Sequence, residues 1–218
     1  MIYRSLLLSL MLIAVSANSC GKAQDTTAEP RRPKAIVLYS SGDPEAVVPS
    51  LDVAVDVVTS PTPKLVNTEF VARCIAQALE GSNVSVVLKR TEDLKSPREV
   101  LAADIIIIGS STHFWNMDWQ TKRLFDEVLY PIYVHRKRKL KDKIATCFTT
   151  SEIEPSGRQC LESINRAFGD FGAQVLPGLV ITNDVPKDKA EAMVRRFAKN
   201  ILKIWKKHAD ENQDTEGN

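Results

Sequence analysis

Short apolar segments alternate along the chain with longer segments in which apolar residues recur at helical spacing. Apolar runs of the kind found in buried β-strands lie at residues 35–40 (AIVLYS), 84–88 (VSVVL), 104–108 (DIIII), 144–149 (IATCFT) and 174–182 (QVLPGLVIT). Helical spacing occurs between and after them, at residues 68–80, 117–130, 157–171 and 186–207. This alternation predicts an α/β fold in which helices cover both faces of a doubly wound, five-stranded parallel sheet.

The four consecutive isoleucines at 105–108 leave no polar face, so their strand is expected to be covered on both sides. In a doubly wound sheet, ligands bind beyond the carboxyl ends of the strands, where the strand order reverses. The loops after the first, third and fourth strands are therefore the candidate binding segments. They comprise the stretch between Ser40 and Thr68, residues 109–117 and residues 149–156.

The first 20 residues have the features of a secretory signal rather than of a folded domain. Arg4 precedes an apolar run from Leu6 to Val15, which is too short to span a bilayer, and small residues follow as far as Cys20. The stretch from Ala17 to Cys20 resembles a bacterial lipobox. It predicts that Cys20 is acylated and anchors an exported protein at the bacterial cell membrane or its periplasmic face. The alternative is a plain cleaved signal with an incidental cysteine.

Two further segments lie outside the predicted fold. Residues 21–33 lack large apolar side chains and contain two prolines, as expected of a flexible tether between an anchor and a domain. Residues 208–218 are polar and are predicted to form a disordered tail. The folded domain is therefore expected at residues 34–207.

The overall charge and the remaining cysteines argue against some classes of site. The net charge of +2 is close to neutral, so nothing in the composition indicates nucleic acid as a partner. Cys74, Cys147 and Cys160 lie in apolar or helical contexts without CxxC spacing or a histidine nearby in sequence. Free buried thiols are favoured over a disulfide framework, and no metal site is predicted.

The loop after the isoleucine strand combines small, polar and aromatic residues. It consists of Gly109, Ser110, Ser111, Thr112, His113, Phe114, Trp115, Asn116 and Met117. A flat aromatic ligand needs a face to lie against and donors for its polar edges. Phe114 and Trp115 offer such a face, and the backbone N–H groups of residues 111–117 offer donors. The alternative is that the two rings only cover the end of the sheet.

Residues 103–128 resemble the third strand, ring-binding loop and following helix of the flavodoxin-like FMN proteins. The most similar members are the tryptophan-repressor-binding-protein type quinone reductases and the NADPH-dependent FMN reductases. The positions in register with their loop are Gly109, Thr112, Phe114, Asn116 and Met117. FTTSE at 148–152 is similar to their next loop, and NTEFVARCIAQAL at 67–79 to the helix after their phosphate loop.

The resemblance implies a flavodoxin-like fold with an FMN site. The residues implied at that site are Ser40, Ser41, Asn67 and Thr68 near the phosphate, Gly109 to Met117 along the ring, and Thr149, Thr150, Ser151 and Glu152 beside its polar edge. It also implies NAD(P)H as a possible electron donor, a quinone or similar small molecule as acceptor, and possible homo-oligomers. No catalytic acid or base is assigned, because redox transfer through a flavin demands no proton donor from the protein.

Two positions in the ring loop depart from the family's pattern. Ser111 stands where proline is common, and Trp115 stands where glycine is common. Glycine would let the backbone approach the ring closely, whereas an indole either stacks on the ring or blocks it.

The first loop departs further, because it carries an insertion at residues 42–66. Either residues 35–40 form the first strand, or residues 50–60 (SLDVAVDVVTS) supply the strand that leads into the phosphate loop. The first arrangement is favoured because AIVLYS is the better buried strand. In both arrangements Asn67 and Thr68 cap the following helix, and Thr68 as a cap that binds nothing is the alternative to a phosphate ligand.

A basic segment, HRKRKLKDK at residues 135–143, contains six lysines and arginines. It lies between the predicted helix at residues 117–130 and the fourth strand, hence at the surface. Three interpretations are open: a solvated loop, contact with anionic lipid heads beside the predicted anchor, or docking of a phosphate-bearing nicotinamide cofactor. Contact with lipid can contribute about 1 kcal/mol per cation near the surface.

Three classes of function are compatible with these features. An FMN-binding oxidoreductase that uses NAD(P)H to reduce a quinone or similar acceptor at the membrane surface is favoured. A flavodoxin-like electron carrier is less favoured, because such carriers are usually strongly acidic and this chain is near neutral. The third class is a degenerate binding module that has lost FMN. An exported location adds weight to it, since nicotinamide cofactors are scarce outside the cytoplasm.

Overall fold

The computed structural model describes residues 32–40, 66–135 and 140–216. Its strands are β1 (Lys34–Tyr39), β2 (Ser85–Arg90), β3 (Ile105–His113), β4 (Asn116–Met117), β5 (Ile144–Ser151), β6 (Gln174–Val175) and β7 (Leu179–Thr182). Its helices are α1 (Thr68–Glu80), α2 (Arg98–Ala102), α3 (Trp119–Arg123), α4 (Tyr130–His135), α5 (Glu154–Asp170) and α6 (Lys187–Glu216). A π-helical turn, Leu124–Leu129, joins α3 to α4. The predictions for the signal, Cys20, Ser41 and most of the 42–66 insertion lie outside the described residues.

The sheet has the order β2-β1-β3-β5-β6, with every neighbouring pair parallel, and β7 also pairs in parallel with β5. β6 and β7 pair with successive parts of β5, so the predicted fifth strand is present in two pieces. Gly178 lies between them, where a Cβ would come within 2.7 Å of the carbonyl oxygen of Cys147. The predicted five-stranded, doubly wound parallel sheet is thus confirmed, and its order reverses between β1 and β3.

Helices cover both faces of the sheet, as the isoleucine run predicts. Ile105 and Ile107 pack with residues of α1 and α6, whereas Ile106 and Ile108 pack with residues of α5 and the α3–α4 segment. All four side chains are completely buried. Burial of each one contributes about 1.5–3 kcal/mol. Because its side chains alternate between the two cores, this single strand joins them.

β1 comprises residues 34–39 and lies between β2 and β3, which agrees with the favoured arrangement of the first loop. At its start, the guanidinium of Arg32 donates to the carbonyl oxygens of Asn83 (3.1 Å) and Val84 (3.0 Å). The compact unit of the chain begins at Arg32. The last two residues of the predicted tether therefore belong to the domain.

Several helix boundaries differ from those predicted. The helix expected to end at residue 207 continues to Glu216, so the prediction of a disordered tail is wrong for residues 208–216. That segment contains neither glycine nor proline, and nothing in it terminates a helix before Gly217. α2 was not predicted because its five residues are too few to show a periodic pattern. In the part of the chain that the structure describes, no helix has both the length and the apolar character to cross a membrane.

Candidate functional site

The segment predicted as a loop, 109–117, is largely a β-hairpin. β3 continues to His113 and turns back into β4, with Thr112 opposite Met117 and His113 opposite Asn116. Residues 109–111 stay in the sheet and pair with residues 148–150 of β5. The loop prediction was wrong because polar residues continue the strand, and a polar sequence gives no hydrophobic signal that the ladder has been extended.

The tip of this hairpin has an unusual backbone. Phe114 has φ of 46° and Trp115 has φ of 68°, a region that favours glycine and asparagine over bulky side chains. Residues held in such a conformation cost about 1–3 kcal/mol each. The Phe114 side chain is 99% exposed and that of Trp115 is 48% exposed, so little apolar burial compensates for this cost. The fold holds two aromatic rings outward at the carboxyl end of the sheet.

Asp118 fixes the base of the hairpin, and the sequence analysis did not single it out. Its carboxylate is buried and accepts hydrogen bonds from the Ser40 hydroxyl, the Ser111 N–H (3.1 Å) and the Ser111 hydroxyl (2.9 Å). Its other oxygen accepts from the N–H of Thr121 at 2.8 Å and so caps α3. An aspartate directly before an amphipathic helix is a cap signal that could have identified it.

The same carboxylate connects the buried strand ends to the exposed hairpin. The N–H of Asp118 donates to the hydroxyl of Ser110 at 2.9 Å. The Ser111 hydroxyl, which donates to Asp118, lies 3.2 Å from Nε2 of His113. Ser40 at the end of β1 is thus tied through Asp118 to β3 and to the start of α3. These bonds hold the strand ends at the switch point in one fixed arrangement.

Hydroxyl groups join the remaining strand ends. Oγ1 of Thr68, at the start of α1, lies 2.7 Å from Oγ1 of Thr150, and Oγ1 of Thr112 lies 2.7 Å from that of Thr149. Thr149 also donates to the carbonyl oxygen of Ser110 at 2.7 Å. The ends of β3 and β5 and the start of α1 therefore lie side by side, as the strand order requires.

The amino terminus of α1 opens onto this edge. Oδ1 of Asn67 accepts from the N–H of Phe70 at 2.8 Å, which caps the helix as predicted. The N–H groups of Thr68 and Glu69 donate to no other residue that the structure describes. The carboxylate of Glu69 is paired with Arg73 at 2.6 Å. Free N–H groups at a helix amino terminus attract an anion.

The glycine of the ring-loop motif has a structural reason of its own. A Cβ at Gly109 would lie 2.0 Å from Cζ of Phe148, whose ring is completely buried against it. Gly109 is therefore required for the packing of β3 against the Phe148 side chain. Its presence in the motif carries no separate information about a ligand.

Asn116 and Met117 fasten the hairpin to the rest of the domain. Oδ1 of Asn116 accepts from the Ser163 hydroxyl of α5 at 2.9 Å and from the N–H of Met117 at 2.8 Å. The Met117 side chain packs against the core that contains α5. The hairpin is therefore anchored at its base on two sides, while Phe114 at its tip is exposed.

Cys160 lies behind the hydroxyl groups. Burial raises the pKa of its thiol, although the hydroxyls of Thr149, Thr112 and Ser110 act in the opposite direction. Burial also raises the pKa of Cys147 well above its usual range. Cys147 and Cys160 are free and buried, as predicted, whereas Cys74 is free but only partly buried.

The predicted site residues fall into two groups by exposure. The buried or partly buried ones that hydrogen bonds tie together at the carboxyl edge are Ser40, Thr68, Ser110, Ser111, Thr112, Thr149 and Thr150. The exposed ones are Asn67, His113, Phe114, Trp115, Asn116 and Glu152. Ser151 is buried and lies 2.7 Å from the Ser156 hydroxyl within the protein.

Comparison with solved structures identifies the fold. No family model and no curated protein sequence matches the chain. An archaeal flavodoxin is similar, with a TM-score of 0.56 and 24% identity over 79% of this chain and 99% of the flavodoxin. A WrbA-like flavodoxin from Agrobacterium tumefaciens has a TM-score of 0.57 and 18% identity over 81% of this chain and 99% of that one. The rubredoxin oxygen:oxidoreductase of Desulfovibrio gigas has a TM-score of 0.57 and 15% identity, over 82% of this chain and 38% of that one. The class that the topology and these similarities define is therefore the flavodoxin-like α/β fold.

Proposed function

We propose that this protein binds FMN at the carboxyl edge of its sheet and acts as an oxidoreductase. The observation that carries the proposal is the hairpin tip, where Phe114 and Trp115 are held exposed in a strained backbone conformation. Strained residues of this kind cluster at functional sites. Two aromatic side chains beside strand ends rich in hydroxyl groups offer the face and the polar donors that a flavin ring requires.

The residues present fit the phosphate end of FMN. The N–H groups of Thr68 and Glu69, from which no described residue accepts a hydrogen bond, offer an anion two donors at the positive end of the α1 dipole. The hydroxyl of Thr68 accepts from or donates to Thr150. If Thr150 donates, the hydrogen of the Thr68 hydroxyl is left for the phosphate. A neutral set of donors at a helix amino terminus holds a phosphate without a lysine.

The substitution of tryptophan for the family's glycine is compatible with the same site. Trp115 has the positive φ that glycine adopts readily, so the backbone keeps the turn while an indole is added to it. Since the indole is half-exposed rather than packed into the strand ends, it supports stacking on the ring rather than blocking of the site.

When bound, FMN would supply the electron-transfer chemistry that no side chain of this domain can supply. The chain's own residues would bind and orient it, with NAD(P)H as the donor and a quinone or similar small molecule as the acceptor. The near-neutral charge favours an enzyme of this kind over an electron carrier, which usually needs an acidic surface for basic partners.

The proposal is tested by titrating FMN into a protein that consists of residues 21–218. We expect wild type to bind FMN and Thr68→Val to bind it about ten-fold more weakly, since one hydrogen bond to a charged group contributes about 1.5 kcal/mol. The change in flavin fluorescence measures both affinities. Thr146→Val is the matched control, because it removes a buried hydroxyl of β5 that bonds the carbonyl oxygen of Pro177, away from the carboxyl edge.

Each other outcome of this titration has a definite meaning. Absence of binding by the wild type would refute FMN binding and leave the degenerate module. Equal affinities of wild type and Thr68→Val would show that the Thr68 hydroxyl does not bind the phosphate. Binding of FMN without its reduction by NADH or NADPH would favour the electron carrier.

We also propose that acylated Cys20 anchors the protein at the bacterial cell membrane. Small residues precede this cysteine and a tether without large apolar residues follows it. Cys20→Ala should therefore move the protein from the membrane fraction to the soluble fraction, as immunoblots of the two fractions would reveal. Retention of a processed Cys20→Ala protein in the membrane fraction would contradict the anchor.

A further inference from the structure

We propose that His113 is the acid that protonates the acceptor, and that Ser111 and Asp118 hold its imidazole in the form that this step requires. The observation is a chain of hydrogen bonds from a buried carboxylate to an exposed imidazole. Oδ2 of Asp118 accepts from the Ser111 hydroxyl at 2.9 Å, and Oγ of Ser111 lies 3.2 Å from Nε2 of His113. The inference rests on the proposed function and names the group that supplies a proton to its acceptor.

The direction of each bond fixes the tautomer of His113. A carboxylate only accepts hydrogen bonds, and a serine hydroxyl has a single proton to donate. The Ser111 hydroxyl donates this proton to Asp118, so its oxygen is an acceptor toward the imidazole. Nε2 of His113 therefore carries a hydrogen, and in the neutral ring Nδ1 carries none.

The surroundings of Asp118 keep this direction fixed. Its side chain is 1% exposed and also accepts from the N–H groups of Ser111 (3.1 Å) and Thr121 (2.8 Å) and from the hydroxyl of Ser40. All of these contacts come from donors, so none of them takes a proton from the carboxyl group. The tautomer of the exposed ring is thus a consequence of buried contacts.

Reduction of a quinone needs one more proton than the electron donor supplies. A quinone takes up two electrons and two protons to become a quinol, whereas NAD(P)H gives up a hydride, which contains both electrons and one proton. The second proton passes from Nδ1 of the His113 imidazolium to a quinone oxygen, where an O–H bond forms as the N–H bond breaks. The ring is left neutral with its hydrogen on Nε2, which is the tautomer that Ser111 selects, and regains a proton from solvent at Nδ1.

The position of His113 suits this role. It is the last residue of β3, is exposed, and directly precedes Phe114 and Trp115. The proposed function places the flavin ring at these two side chains, so an acceptor of its electrons lies beside the imidazole. Transfer of a hydride to the flavin needs no protein acid, whereas completion of the quinol needs a proton source. Water is the competing source, because the hairpin tip is exposed.

The test compares two acceptors that differ in their need for protons. Menadione, a quinone, takes up two protons, whereas ferricyanide takes up an electron and no proton. With FMN-loaded protein and NADH or NADPH, we expect His113→Gln to lower the ratio of menadione to ferricyanide turnover about 100-fold, since general acid catalysis contributes about 10²–10⁴-fold. Glutamine keeps an N–H group for Ser111 but has no proton to transfer. His208→Gln, at a residue about 30 Å along α6 from its start, is the matched control and should leave the ratio unchanged.

Failure of this inference and failure of the proposed function give different results. If the wild type reduces both acceptors and His113→Gln leaves their ratio unchanged, solvent supplies the proton and the inference is wrong. If the wild type neither binds FMN nor reduces either acceptor, the proposed function is refuted and this inference with it.

A second measurement needs neither flavin nor activity. Long-range proton–nitrogen correlation spectra of the imidazole rings distinguish a hydrogen on Nε2 from one on Nδ1, and loss of signals in His113→Gln assigns those of His113. We expect neutral His113 to be a single tautomer with its hydrogen on Nε2 in the wild type, and Ser111→Ala to show both tautomers. Ser111→Ala should also lower the ratio of menadione to ferricyanide turnover, because Ser111 is a positioning residue that acts through the imidazole. A hydrogen on Nδ1 in the wild type, or the same mixture in both proteins, would overturn the proposal.

Discussion

Asp118→Ala should lower the free energy of unfolding by about 3 kcal/mol. The substitution removes the cap of α3, which contributes about 1 kcal/mol, and leaves the N–H of Ser111 without its partner, at about 2 kcal/mol. It also releases the Ser40 hydroxyl from the hairpin. Urea unfolding followed by far-ultraviolet circular dichroism gives the change in unfolding free energy from the shift in midpoint.

Asp126→Ala is the matched control for this substitution. Asp126 lies on the same helical segment, is largely exposed, and pairs with Lys122 as a surface ion pair. Its loss should cost no more than about 0.5 kcal/mol. If the two variants lose the same stability, the buried carboxylate does not organise the base of the hairpin.

The double variant Phe114→Asn, Trp115→Gly should be more stable than the wild type and yet bind FMN more weakly. Asn-Gly is the preferred pair for a two-residue hairpin in which both φ angles are positive. Relief of the backbone strain should raise the free energy of unfolding by about 2 kcal/mol. Loss of the aromatic face should lower the affinity for FMN by about ten-fold, if stacking contributes about 1.4 kcal/mol.

The opposite signs of the two effects make this prediction specific. A substitution that damages the fold lowers both stability and affinity, whereas removal of a strained functional element raises the first and lowers the second. Phe114→Asn alone keeps Trp115 and separates the contributions of the two rings. A more stable double variant that binds FMN as tightly as the wild type would mean that the rings serve some purpose other than flavin binding.

Much of the fold could be predicted because it depends on side-chain hydrophobicity repeated along the chain. The isoleucines of β3 show no polar face, and this alone implied helices on both sides of the sheet. The stretch at 35–40 was favoured over 50–60 as the first strand for the same reason, and it forms β1. The cap at Asn67 was predictable from its position before an amphipathic helix.

The candidate site was predictable only as a region. The loops after β1, β3 and β5 follow from the rule that ligands bind beyond the carboxyl ends of parallel strands. That Ser110 and Ser111 stay in the sheet, and that Thr150 meets Thr68, depends on pairing between residues far apart in sequence. No local pattern records such pairings.

The sequence by itself determined the alternation of strands and helices, the concentration of positive charge at residues 135–143 and the aromatic pair at 114–115. These properties depend on residue type and spacing alone. Only the tertiary structure decided that Asp118 joins three elements and that the aromatic pair occupies a strained turn. The physical reason is that hydrogen-bond partners and backbone dihedrals are set by non-local contacts, which exist only once β1, β3 and β5 are aligned.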